Sequence, residues 1–190
     1  MNGHRLRQLL LLILILGSGL QTVVIGFIPP GDGRVRNTAR VALGLWAVAI
    51  YALIHREWLA RWIWPVACAA FMLHVAVAFH DAHHWSHGEA FHHVEEVSGF
   101  GPGIFVSYCF TLVWIADAVW MTAAPTSYFR RPRVVTRGVH LFMIFIIMNG
   151  TIIYENGPTR WVSAAVLVGL LVEFIRIQGQ PLGGGLTSPR

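Results

Sequence analysis

Long apolar runs alternate with short polar segments along this chain, and the alternation predicts its secondary structure. At about 1.5 Å per residue, a helix of roughly 20 residues crosses the ~30 Å hydrocarbon core of a bilayer. The six runs cover residues 8–28, 39–54, 58–80, 104–123, 139–153 and 161–177. We therefore predict an all-α integral membrane protein with about six transmembrane helices.

The two ends of the chain need separate interpretation. Gly17, Ser18 and Gly19 follow a leucine-rich stretch, as in a secretory signal, but apolar sequence resumes and reaches residue 28. This is too long for a signal core, so we expect an uncleaved first helix, with cleavage within residues 1–19 as the open alternative. The glycine-rich residues 179–190 are expected to be a disordered tail, which leaves a single transmembrane domain over residues 1–178.

Composition supports a membrane protein and excludes some partners. Hydrophobic residues make up 55% of the chain, charged residues only 12%, and the mean hydropathy is +0.58. The net charge of +5 is carried by arginines in short clusters between apolar runs, because the chain contains no lysine. This distribution is typical of loops that orient membrane helices and not of a nucleic-acid surface. Membrane lipid, and optionally other membrane subunits, are the expected partners.

The arginines also predict an orientation in the cell membrane. If both termini are cytoplasmic, ten of the arginines lie on the inner side and four on the outer side. The outer four are Arg34, Arg36, Arg40 and Arg160. Because positive charge is enriched on the cytoplasmic side, this orientation is favoured. It places the loop between the third and fourth helices on the extracytoplasmic face.

That loop belongs to a histidine-rich segment, residues 74–96, with seven of the ten histidines and four of the nine acidic residues. If the third helix continued past the membrane surface, His80, His83, His84 and His87 would share one stripe, since they recur at spacings of three and four. Several imidazole nitrogens could then face one metal centre or two adjacent centres.

A second, short amphipathic helix is predicted to follow. Ser86 and Glu89 form a capping-box pattern, and Gly88 allows a break between the two helices. On the new helix Glu89, His92, His93 and Glu96 recur at helical spacing, and Glu89 to His92 is a Glu-x-x-His motif like those of carboxylate di-iron bundles. Mixed imidazole and carboxylate ligands suit iron, zinc, copper or manganese better than calcium or magnesium.

The stretch HDAHH, residues 80–84, resembles the His-x-x-His-His box of membrane fatty-acid desaturases and hydroxylases, which are non-haem di-iron enzymes. The resemblance implies metal ligation by His80, His83 and His84. Those enzymes have several boxes separated by transmembrane helices and on the cytoplasmic face, whereas only His140 follows this segment. We therefore take the resemblance as an indication of metal binding and not as membership of the family.

Three polar residues within the apolar runs need an explanation, because a charge at the bilayer centre costs roughly 2.5 to 3.5 kcal/mol. Asp117, His140 and Glu173 all fall toward the cytoplasmic ends of their helices and could form one hydrogen-bonded cluster. The alternative is that each lies at the interface and pairs with loop arginines. Haem ligation by His74 and His140 is disfavoured, since these two residues are expected near opposite faces.

These patterns support two functional hypotheses. The first is a membrane enzyme that uses one or two transition metals for oxidative or hydrolytic chemistry on a lipid-soluble substrate. Its ligands would be drawn from His80, His83, His84, His87, Glu89, His92, His93 and Glu96. The second is a non-enzymatic membrane subunit or metal-handling protein whose histidine loop binds metal or a partner. A third possibility is a structural loop whose histidines hydrogen-bond to neighbouring groups without metal.

Overall fold

The computed structural model describes residues 31–153 and 158–178, and every regular element within these ranges is a helix. In chain order, α1 to α7 are Asp32–Ile54, Ala60–Asp81, His87–Ser98, Gly103–Ala123, Pro125–Arg130, Arg133–Met148 and Pro158–Gln178. Helix α6 continues into one π-helical turn over Asn149–Ile153. The predicted all-α class is confirmed.

Five of the described helices have the length and composition of membrane spans, which confirms a transmembrane protein. They are Asp32–Ile54, Ala60–Asp81, Gly103–Ala123, Arg133–Ile153 and Arg160–Gln178. These spans correspond to the second to sixth apolar runs of the sequence. The first predicted helix, residues 8–28, and the predicted tail, residues 179–190, lie outside the described residues.

Helix α1 begins seven residues earlier than the apolar pattern indicates, at Asp32 instead of residue 39. Asp32 lies in the first turn, where a carboxylate interacts favourably with the positive end of the helix dipole. Arg34 lies in the same turn, and its guanidinium pairs with Asp81 at the end of α2. The ion pair compensates the charge of Arg34. Residues 32–38 are therefore helical, although their low hydropathy suggests a loop.

The interior is built around three tryptophans, one from each of three spans. Trp46 of α1, Trp64 of α2 and Trp114 of α4 are all almost completely buried. The rings of Trp64 and Trp114 are 5.7 Å apart between centroids, and Phe71 stacks on Trp114 at 5.1 Å. Such aromatic pairs add about 0.5–1.5 kcal/mol beyond the area they bury. They hold α2 and α4 together beneath the histidine-rich segment.

Helices α6 and α7 contribute little to this interior and present apolar side chains outward. Leu141 and Phe145 of α6 and Val168 of α7 are all largely exposed. In water such a surface would be unfavourable, but a bilayer is an apolar solvent for it. The exposed residues therefore agree with the membrane location of these two spans.

Helix α3 begins where the capping pattern predicts. The Ser86 hydroxyl accepts a hydrogen bond from the Glu89 backbone N–H at 3.2 Å, as an N-cap side chain does. The helix ends at Gly99, whose φ of 72° is left-handed and whose N–H donates to the Glu95 carbonyl at 2.8 Å. Ala90 is fully buried and faces the bundle, while the histidines and glutamates around it are exposed. This confirms a short amphipathic helix.

Candidate functional site

The turn between α2 and α3 determines where the histidines point. Helix α2 ends at Asp81, and the chain then reverses through His84 and Trp85, whose φ angles are 46° and 60°. The Trp85 N–H donates to the Phe79 carbonyl at 2.8 Å and closes this turn. The predicted continuous stripe from His80 to His87 is therefore wrong. Two consecutive residues with left-handed φ cannot continue an α-helix. His80 therefore lies on α2, His83 and His84 lie in the turn, and His87 begins α3.

Asp81 anchors the first of these histidines. Its side chain is completely buried and accepts hydrogen bonds from the Gly31 N–H at 3.2 Å and from Arg34 Nε at 2.6 Å. A second Arg34 nitrogen, Nη2, donates to the other carboxylate oxygen, which gives a bidentate pair. The same oxygen lies 2.8 Å from Nδ1 of His80, whose side chain is 63% exposed. A buried, fixed carboxylate thus orients an exposed imidazole.

Two other histidines of the segment lie beside carboxylates that are themselves about half exposed. Nδ1 of His84 lies within hydrogen-bonding distance of the Glu89 carboxylate, at 3.0 Å, whereas Nδ1 of His92 lies 3.6 Å from that of Glu95, which is too long for a hydrogen bond. Because an ionised carboxylate can only accept, the His84 contact places the proton of a neutral ring on Nδ1 and the lone pair on Nε2. This is the tautomer that carboxylates fix in histidine ligands of metal proteins.

His87 has a different partner. Its Nδ1 lies 2.8 Å from the hydroxyl of Tyr108 on α4, and the two rings are 5.7 Å apart between centroids. Because a phenol can donate or accept, this contact does not fix the tautomer. It does tie the first residue of α3 to the N-terminal part of α4.

His83 and His93 are two candidate ligands from different elements whose rings lie close together. Their ring centroids are 5.3 Å apart, with His83 in the turn and His93 on α3. Burial lowers the pKa of His83 below its ordinary value of 6.5, and the neighbouring His93 lowers the pKa further, while Glu89 acts in the opposite direction. His83 is therefore neutral near pH 7, which is the form that binds metals.

The eight candidate ligands do not converge on one point. Within the described residues, no group of three or more histidine, cysteine, aspartate or glutamate side chains is arranged to hold a metal ion. His92 contacts Glu95 and packs its ring against Phe91, and Glu96 is exposed on the same helix. The segment therefore contains one close pair of histidine rings, His83 and His93. Each of the exposed histidines around this pair contacts a different neighbouring side chain.

A second polar cluster lies at the opposite end of the spans, around Asp117 of α4. One oxygen of this buried carboxylate accepts hydrogen bonds from Trp64 Nε1 at 2.9 Å and from the Tyr128 hydroxyl at 2.8 Å. The other oxygen pairs with Arg131 Nη1, and the guanidinium lies 4.0 Å above the Tyr128 ring. Burial, followed by the charge of Asp117, raises the pKa of Tyr128, so its hydroxyl stays protonated and donates. The short helix α5 is thereby held against α4.

The three residues expected to form one intramembrane cluster are placed as follows. His140 packs edge-on against Trp64 with 5.4 Å between ring centroids, beside the Asp117 cluster. Glu173 instead lies 3.1 Å from Nε2 of His55 and 3.5 Å from Arg176. The contacts of Asp117 therefore involve α2, α5 and Arg131, whereas those of Glu173 join α7 to the end of α1.

Sequence reasoning missed several partners that fix these sites. Arg34 and Asp81 are 47 residues apart, and no local pattern in the sequence signals that they meet. Tyr128 and Trp64 resemble ordinary interfacial aromatics. The pair between Arg131 and Asp117, in contrast, agrees with the alternative expectation that intramembrane carboxylates pair with loop arginines.

Comparison with known proteins does not assign this chain to a family. No protein-family model matches the chain, and no curated protein or solved structure shows significant similarity to it.

Proposed function

We propose that this multi-pass membrane protein binds divalent transition-metal ions at its outer face through His83 and His93. The observation that carries the proposal is the 5.3 Å between the two ring centroids. Two imidazoles that share one tetrahedral zinc, with Zn–N bonds of about 2.0–2.1 Å, have centroids about 5 Å apart. The pair therefore has the spacing of two ligands of one ion before any metal binds.

The surroundings of the pair support metal binding. Glu89 adds negative charge beside His83 and orients His84 at 3.0 Å, while Asp81 orients His80. Imidazole nitrogens with nearby carboxylates favour zinc, copper or iron over calcium and magnesium. Within the described residues these flanking groups orient or charge the pair, but they are not arranged as further ligands of the same ion.

The exposure of the segment favours metal handling over catalysis. His80 and His84 are 63% and 74% exposed, and the described residues do not supply the three fixed protein ligands of typical catalytic zinc sites. Ions held by only two histidines exchange readily with solvent. Collection or transfer of metal at the membrane surface therefore fits better than the oxidative or hydrolytic centre, which remains the alternative.

The test is metal affinity of the full-length protein in detergent, measured by competition with a chromogenic chelator for Zn²⁺ and Cu²⁺. The double variant His83→Ala with His93→Ala should lose at least tenfold in affinity. His92→Ala is the matched control, because His92 is an exposed histidine on the same helix whose described partners are Glu95 and Phe91. Equal affinities in the double variant, the control and the original protein would contradict the proposal.

A further inference from the structure

If His83 and His93 bind zinc as proposed, they supply only part of its coordination shell. Closed tetrahedral zinc sites use four protein ligands, and His83 with His93 provides two of them. No third described ligand is placed to join them. Among the described residues, the Glu89 carboxylate acts on His83, and one of its oxygens is hydrogen-bonded to Nδ1 of His84 at 3.0 Å.

A second copy of the chain can supply the two missing ligands. Copies in the same bilayer share one orientation, so a two-fold axis along the membrane normal places their histidine segments at the same height. A two-fold interface is self-complementary, and a metal on the axis would receive the same two ligands from each copy. His93 lies on the exposed side of α3, where another molecule can approach.

We propose that two copies of this chain complete one metal site, with His83 and His93 of each copy bound to a single bridging zinc ion. The inference rests on the proposed function, because it assumes that this pair binds metal. It adds a partner, namely a second copy, and a stoichiometry of one metal for two chains.

Charge explains why the metal would be needed for this contact. Helix α3 carries Glu89, Glu95 and Glu96, and residues 82–129 contain no arginine or lysine. Two such surfaces repel each other when they meet, since like charges at close range are unfavourable. A divalent cation between them reverses the sign of the interaction, so association should depend on the metal.

The experiment measures mass and metal content together. The purified full-length protein is examined by light scattering coupled to size-exclusion chromatography, with added Zn²⁺ and with a chelator, and zinc is quantified in each peak. We expect a dimer with one zinc per two chains in Zn²⁺ and a monomer in the chelator. His93→Ala should abolish the dimer, and His92→Ala should retain it. Thermal unfolding verifies that both variants are folded.

The contrary outcomes separate the two proposals. One zinc per monomer, with no dimer, would overturn the bridging site and leave the proposed function intact. A dimer of equal stability in chelator would overturn metal bridging as well. If the protein binds no zinc in either state, the bridging site and the proposed metal function both fail.

Discussion

At the scale of single residues, the buried carboxylate of Asp117 requires compensation by its neighbours. A carboxylate within a membrane span is unfavourable unless it is paired and hydrogen-bonded, and here Trp64, Tyr128 and Arg131 all donate to it. Because both partners of the ion pair are almost completely buried, the loss of one leaves the other without compensation.

Asp117→Asn should therefore destabilise the protein strongly. The amide keeps two acceptor contacts but leaves the Arg131 guanidinium buried and unpaired, so we expect a loss of about 3–5 kcal/mol in the free energy of unfolding. Arg176→Ala removes an exposed ion pair with Glu173 and should cost below about 1 kcal/mol. The free energies of unfolding of both variants are measured in mixed micelles with increasing amounts of a denaturing detergent. Similar losses in the two variants would contradict this assignment.

His83 allows a prediction about pH. Because its pKa in the folded protein is lower than the ordinary 6.5, protonation favours the unfolded state. The stability from keeping this ring neutral is therefore complete above pH 6.5 and is lost as the pH falls through and below that value. His93→Ala should raise the pKa of His83, since His93 is one of the groups that lowers it. Histidine NMR titration of both proteins measures this, and an unchanged or lower pKa in the variant would contradict it.

At the scale of elements, the placement of α3 depends on a close approach at Gly101. A Cβ atom at this position would come within 2.4 Å of the Phe91 ring, which packs over the turn between α3 and α4. The substitution must displace Phe91 or the helix that carries it. His93 lies half a turn further along the same helix, so its distance to His83 would change too.

Gly101→Ala should cost about 1–3 kcal/mol of stability, as overpacking does, and should weaken metal binding together with it. Gly88→Ala is the matched control, because its added Cβ would lie 3.7 Å from the Ser86 hydroxyl, an ordinary contact. Thermal unfolding and chelator competition on both variants give the answer. A Gly101 variant with unchanged stability and affinity would show that this contact does not position α3.

The elements also show what the sequence could and could not predict. Apolar runs located five described spans, and the Ser86 pattern located α3, because both signals are local. The path between α2 and α3 is not predictable from the hydrophobic pattern, since it depends on left-handed φ at two consecutive non-glycine residues, His84 and Trp85. The Arg34–Asp81 pair is not predictable from local sequence because it depends on which helices pack together, whereas the Asp117–Arg131 pair agrees with the expectation that intramembrane carboxylates pair with loop arginines.

At the scale of the whole molecule, the arrangement of spans places the two polar clusters at opposite ends of the bundle. The histidine segment joins the end of α2 to the start of α4, and Arg131 lies beyond the other end of α4. The arginine asymmetry of the sequence then predicts that the histidine segment is extracytoplasmic and that Arg133 is cytoplasmic.

Cysteine labelling of whole cells tests this orientation. In a background with Cys68 and Cys109 replaced, Glu96→Cys should react with a membrane-impermeant maleimide, and Arg133→Cys should react only after the membrane is permeabilised. Both positions are exposed in the structure, so accessibility from one side is the variable that differs. The reverse labelling pattern would invert the predicted topology and place the histidine segment in the cytoplasm.

The excess of glutamate on α3 also affects how quickly ions arrive. A negative surface lowers the energy of nearby cations in proportion to their charge, so a divalent ion is concentrated more strongly than a monovalent one. With three glutamates on α3 and no arginine or lysine from 82 to 129, the segment attracts such ions before any ligand bond forms. Capture at this surface would therefore slow as the ionic strength of the surroundings rises, even where the affinity of the two histidines is unchanged.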